Sequence, residues 1–180
     1  MRVLLIGYRG AGKSTAGMLL AEKLKLPFLS LDAEIENCSG QTIGQMVEEK
    51  GWEAFRTLES EVLVKNLKLR NGIIDCGGGI IEREENRNLL KKESRVFFLK
   101  ASVEMIQERL SDKTNRPYLT GSQSFLDEIR EVYQRRLPFY EACAAYTVNA
   151  DESPETTCYQ ILQILNRQKK SDSRKNHSGA

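Results

Sequence analysis

A chain of 180 residues has room for one domain, and 40% hydrophobic against 29% charged residues supplies enough apolar material for a real core. A net charge of +2 is too small to recruit nucleic acid or a membrane surface, so neither partner is expected. The cysteines (Cys38, Cys76, Cys143, Cys158) form no CxxC pair and the lone histidine, His177, lies in a polar stretch, which argues against a disulfide framework or a zinc site and for reduced thiols in a cytoplasmic protein.

The chain opens on Val3-Leu4-Leu5-Ile6, an apolar run too short for a signal peptide and read as a buried strand. Ser14 to Leu24 follows with apolar residues at Met18, Leu19, Ala21 and Leu24, a helical repeat. Pro27 to Leu31 is a weaker strand. From Asp32 to Leu69 the pattern is helical twice over, with Leu58, Val62, Leu63 and Leu67 on the second helix and no strand between. This stretch, about residues 32–70, reads as a helical insert. Gly72 to Ile74, Val96 to Leu99 and Tyr146 to Val148 are further strands; Val103 to Leu110, Phe125 to Leu137 and Glu155 to Leu165 are further helices. Ser111 to Ser124 is polar, carries Asn115-Arg116-Pro117 and Thr120-Gly121-Ser122, and is expected to be a mobile loop. Residues 167–180 are polar and are expected to form a disordered tail. No run approaches the roughly 20 apolar residues of a membrane span. Strands alternating with helices imply an α/β three-layer sandwich around a five-stranded parallel sheet, in a single domain over residues 1–166.

Gly7-Tyr8-Arg9-Gly10-Ala11-Gly12-Lys13-Ser14 fits G-x-x-x-x-G-K-[ST] between an apolar strand and an amphipathic helix. Glycines let such a loop wrap tightly with its N–H groups turned toward an anion, and the helix N-terminus adds partial positive charge. Gly10, Ala11, Gly12, Lys13, Ser14 and Thr15 are therefore expected to bind a nucleotide. Lys13 should bridge the β- and γ-phosphates, and the Ser14 hydroxyl should ligate Mg²⁺.

The loop names a nucleotide and not a reaction. Asp32 follows a strand and fits either a ligand contact or a helix cap. Arg56 and the Arg135-Arg136 pair fit either a binding site or a solvated helix face. Gly77-Gly78-Gly79 fits either a close approach or a tight turn. Taken one at a time, both readings stay open.

Taken together and in this order, the motifs resemble shikimate kinase across about residues 3–165. They are GYRGAGKST (Gly7 to Thr15), LDAEIE (Leu31 to Glu36), AFRTLESEVL (Ala54 to Leu63), CGGGI (Cys76 to Ile80), NRPYL (Asn115 to Leu119) and RRLPFY (Arg135 to Tyr140). The resemblance implies a P-loop kinase fold with a helical substrate-binding insert and a mobile lid, about residues 111–124. It implies transfer of the ATP γ-phosphate to a shikimate hydroxyl, giving shikimate 3-phosphate and ADP in the chorismate and aromatic amino acid pathway, with Mg²⁺ as cofactor. It makes Asp32 the residue that bonds the acceptor hydroxyl. Arg56 and Arg136 become the grip on the substrate carboxylate, and Gly77, Gly78 and Gly79 the backbone lining the ring. Arg116 becomes the lid arginine over the phosphates, and Arg109 the arginine near adenine. Lys13, Asp32 and Arg116 are then the catalytic residues.

One departure stands out. The family usually carries Asp-x-Asp after the second strand, the first carboxylate serving the metal's water shell. Here the segment is Ser30-Leu31-Asp32, while Asp75 stands two residues before the triple glycine. The expectation is that Asp75 takes the metal role, since both strand ends should flank the phosphate-loop strand. Two other functions remain in play: a gluconate- or nucleoside-monophosphate-type kinase on the same fold, and a nucleotide-binding module without transfer activity. No heptad stripe is visible, and a monomer is expected.

Overall fold

The computed structural model describes residues 1–111 and 125–177. The elements in chain order are β1 (Arg2–Ile6), α1 (Lys13–Leu24), β2 (Phe28–Ser30), α2 (Leu31–Ser39), α3 (Ile43–Asn66) and β3 (Gly72–Asp75). Then come α4 (Glu84–Leu90), β4 (Val96–Lys100), α5 (Val103–Leu110), α6 (Phe125–Cys143), β5 (Tyr146–Asn149) and α7 (Pro154–His177). The strands form one parallel sheet in the order β2-β3-β1-β4-β5. Helices flank it, α1 packing with α7, and α6 with α4, α5 and β4. This is the expected α/β architecture.

The strand residues explain the order. Val3 to Ile6, Ile73 and Ile74, and Val96 to Leu99 are completely buried. A strand covered on both faces reads as a continuous apolar run, and the two longest such runs sit at β1 and β4 in the sheet interior. β2 is an edge strand of three half-buried residues, which is why its sequence signal is weak. β3 lies beside β1, but β2 is one strand further out, so only Asp75 flanks the phosphate-loop strand directly. The expectation that both strand ends do so is corrected on that point.

The insert is built from local signals. Ser30 caps α2 by accepting the Ala33 N–H at 3.3 Å. Thr42 and Gln45 form a capping box at the start of α3. Within α3, Gly51 takes φ 79° and breaks the helix into two stretches. α6 runs past Leu137 to Cys143 despite Pro138, whose missing N–H removes one helical bond; burial of Tyr140 and Cys143 holds the last turn. α4 was not read from its charged sequence. Asn86 and Leu90 bury one face of it, and Arg87 donates to the Ile81 and Glu82 carbonyls at 2.8 Å each.

The stretch expected to be a disordered tail, residues 167–180, is described only as far as residue 177. α7 continues through Arg167 to His177. Once a helix is nucleated, each added residue costs little, and Arg, Gln and Lys are good helix formers. The expected lid lies outside the described residues from 112 to 124, and with it Arg116.

Candidate active site

The loop after β1 is shaped by glycine. Gly10 and Gly12 sit at φ 81° and 85°, left-handed conformations that a side chain would strain. No side chain caps α1 and its first turn holds no acid, so the N–H groups and dipole at its start are left for an anion. Lys13 is buried; its Nζ donates to the carbonyls of Gly7 (3.0 Å) and Tyr8 (3.2 Å), folding the ammonium onto its own loop. Ser14 Oγ donates to Asp75 Oδ2 at 2.5 Å. Thr15, next on α1, is exposed. Arg109 stands beside the loop: a Cβ on Gly12 would lie 3.6 Å from its Nη1. The carbonyls of Ala150 and Glu152, each at 2.9 Å, hold its guanidinium.

On the other side of the loop is a cavity of about 520 Å³. Asp32, Arg56, Gly78, Gly79 and Arg136, five of the expected residues, line it. Gly77 lies against Asp32 instead: a Cβ there would fall 2.6 Å from Oδ1. Asp32 occupies the first turn of α2, where helix N-terminal charge favours a carboxylate. Arg56 donates to Glu59 Oε2 at 2.7 Å and lies over the rings of Trp52 (5.3 Å) and Phe55 (4.9 Å). Its guanidinium rests on the bare Cα of Gly79, where a Cβ would come within 2.1 Å of Nη1. The triple glycine is thus a close approach rather than only a turn.

The paired arginines separate. Arg136 is buried, with Nε on Glu82 Oε1 (2.6 Å) and Nη1 on the Gly78 carbonyl (3.3 Å). Arg135 is half-exposed and reaches the same Glu82 oxygen at 3.3 Å. Tyr140 donates to the Gly78 carbonyl and stacks on Phe98 at 5.1 Å, fixing the glycine wall. The motif Arg136-Leu137-Pro138-Phe139-Tyr140 therefore delivers two groups to one backbone atom.

Several residues of this cavity went unread. Arg9, in a variable position of the loop motif, is buried, lines the cavity and pairs with Glu128 of α6. The rings of Tyr8 (5.8 Å) and Phe125 (5.5 Å) flank its guanidinium. Glu59 could have been found, because an acid three positions after a helical arginine lies on the same face. Glu82 and Glu128 carry no such signal; they meet their arginines only through the fold. Burial pushes the Glu59 carboxyl up, against the pull of Arg56. Burial also pushes on Glu82, but the charge and hydrogen bond of Arg136, then Arg135, bring it below the usual carboxylate range. Cys76 is fully buried, and burial, then Asp75, raises its thiol well above the ordinary value. It is an inert filler thiol.

Comparison with known proteins shows the family. The family model described as Shikimate kinase matches residues 9–166. The chain belongs to the shikimate kinase family. A curated relative, shikimate kinase 2 of Photorhabdus laumondii, is 39% identical over 166 residues, covering 91% of this chain and 94% of the relative. A solved shikimate kinase from Acinetobacter baumannii in complex with shikimate superposes with a TM-score of 0.88 at 34% identity, over 93% of this chain and 94% of that one. A gluconokinase from Sinorhizobium meliloti, at TM-score 0.61 and 16% identity over 97% of this chain and 96% of that one, shares the fold alone. As a shikimate kinase family member, the chain is an ATP-dependent phosphotransferase with an alcohol acceptor. Among the described residues no helix is long and apolar enough to cross a membrane.

Proposed function

We propose that this chain moves the γ-phosphoryl group of ATP to the 3-hydroxyl of shikimate, with ATP phosphates on the loop and shikimate in the neighbouring cavity. The observation that carries it is one cavity beside the phosphate loop whose lining brings Arg56, Arg136 and Asp32 together, with Arg9, Glu36 and Glu59 also on its wall. An acid with several hydroxyls suits that set. Planar guanidinium forks hold a carboxylate in two-point contact. Asp32 orients the attacking hydroxyl and takes its proton. Gly77, Gly78 and Gly79 let the ring approach the backbone. In a loose phosphoryl-transfer transition state, position and charge matter more than base strength.

Gly10, Ala11, Gly12, Lys13, Ser14 and Thr15 bind the phosphates, and Arg109 borders the base. Lys13, now on the Gly7 and Tyr8 carbonyls, turns to the phosphates when they arrive. Arg116 closes over the same phosphates, on the strength of the resemblance. Mg²⁺ fits the Ser14–Asp75 pair, a hydroxyl and a carboxylate at the loop's end; the ion would neutralise charge building on the phosphoryl oxygens. The working unit is a single domain over residues 1–166 with an insert at 32–70 and a lid at 111–124, a cytoplasmic monomer.

A coupled ADP-release assay tests this. ADP should appear with shikimate present and stay near background with gluconate or a nucleoside monophosphate. ADP release that ignores shikimate would overturn the proposal.

A further inference from the structure

Arg9 belongs to both halves of the site. Its backbone is in the phosphate loop, at the turn closed by the Ala11 N–H on the Tyr8 carbonyl at 3.1 Å. Its side chain lines the acceptor cavity, the one residue of Gly7 to Ser14 that does so. Loop and cavity wall meet there: a Cβ on Gly78 would fall 3.0 Å from the Arg9 backbone nitrogen. A group that leaves the loop for the cavity therefore crosses beside Arg9. The guanidinium is no loose surface charge. It is buried between the rings of Phe125 (5.5 Å) and Tyr8 (5.8 Å), and Nη2 donates to Glu128, itself wholly buried. Its Nε is buried and finds no partner among the described residues, so the protein leaves part of this fork unused. Arg136 lies by the same Tyr8 ring, at 5.9 Å. The cavity wall thus carries a third guanidinium beyond the two matched to a carboxylate.

Phosphoryl transfer changes the charge that the cavity must hold. The acid enters with one carboxylate and leaves with a phosphate monoester as well, about two further negative charges at neutral pH. Arg56 and Arg136 match the carboxylate. The new phosphate is on the side facing the loop, where Arg9 is the cation on the wall. A planar fork suits phosphate oxygens as well as it suits a carboxylate.

We infer that Arg9 is a product-side contact: its guanidinium takes the phosphate once that group is on the acceptor oxygen, so the cavity holds the phosphorylated acid through a residue that the unphosphorylated acid does not use. The inference rests on the shikimate reading above and adds a contact to it. Glu128 and the two rings fix the guanidinium beforehand, so little freedom is lost when the phosphate arrives. The competing role is a purely structural brace between the loop and α6.

Four proteins separate the two: wild type, Arg9→Lys, Glu128→Gln, and Arg9→Met combined with Glu128→Gln. The combined variant removes both members of the pair, so neither charge is left buried alone. Calorimetry with saturating ADP and no added metal reads the affinity of each for shikimate and for shikimate 3-phosphate, and circular dichroism melting reads whether each folds. The combined variant should lose about 10-fold or more in affinity for the phosphorylated acid and less than about 3-fold for shikimate. Arg9→Lys keeps the charge without the fork and should fall between; if the combined variant does not fold, the same split in Arg9→Lys decides. Glu128→Gln keeps Arg9 and should bind the phosphorylated acid within about 3-fold of wild type. Equal losses for both acids, no loss for the phosphorylated one, or a loss in Glu128→Gln as large as in the combined variant overturns the inference and leaves the kinase reading standing. Wild type that binds neither acid overturns the shikimate reading, and the inference with it.

Discussion

The phosphate loop and the acceptor cavity are neighbours built on opposite plans. The loop is one run of the chain, Gly7 to Ser14, whose work is done by backbone conformation at Gly10 and Gly12 and by one ammonium group held on its own carbonyls. The cavity is assembled from α2, both stretches of α3, the glycine turn after β3, α6, and Arg9 reaching in from the loop itself, and its arginines are held by acids rather than left loose. A site made of backbone survives changes in most of its side chains. A site made of pre-paired side chains depends on each partner.

The largest break in that comparison is expected at Asp32. Asp32→Asn keeps the shape and removes the proton acceptor, so kcat should fall by about 10²–10⁴-fold while ADP affinity stays as it was. An equal loss of nucleotide affinity would erase the division between the two halves. Lys13→Met comes next. It should lower kcat by about 10²–10³-fold and also lower the melting temperature, because Nζ ties the Gly7 and Tyr8 carbonyls in the empty loop. An unchanged melting temperature would mean that the tie does no structural work.

Arg136→Ala should act on one side only. It removes the fork and leaves Glu82 to Arg135 alone, so KM for shikimate should rise by about 30-fold or more with KM for ATP nearly constant. A matching rise for both substrates would show that the cavity and the loop are not separable. The smallest effect concerns pH. Glu82 is held below the usual carboxylate range, so its contribution is present above its unfolded value and is lost as pH falls through the folded one. Glu82→Gln should lower the melting temperature by about 2–4 °C at pH 7, and the gap should close in acid. Glu59 has the opposite sign: its carboxyl is raised, so its contribution is present below the unfolded value and is lost as pH rises through the folded one. Glu59→Gln should therefore gain on wild type as the pH climbs. Curves that move the same way with pH for the two variants would contradict one of the two directions, and flat curves would contradict both.

The same contrast explains what could be read in advance. The five strands and the loop are local patterns, and they appear where Val3 to Ile6, Gly72 to Ile74, Val96 to Leu99 and the loop motif put them. Asp32, Arg56 and Arg136 were each ambiguous alone; only their order suggested one site, and the fold brings them to one cavity. Glu82 and Glu128 were out of reach, because the arginines they hold are 54 and 119 residues away in sequence. α4 and the last turns of α7 were missed for a different reason: charged and polar sequence hides a helix whose support is a single buried face or an existing nucleus.

The seating of Arg56 on Gly79 limits how the pocket wall can drift. The least change open to that glycine adds a methyl group where the guanidinium already lies, and Gly78 is little freer, with the Arg9 backbone nitrogen 3.0 Å from any new Cβ. An inhibitor leaning on this stretch of wall would meet a surface that resistance cannot easily remodel, since the substitution that dislodged the drug would dislodge the arginine meant to hold the natural acid.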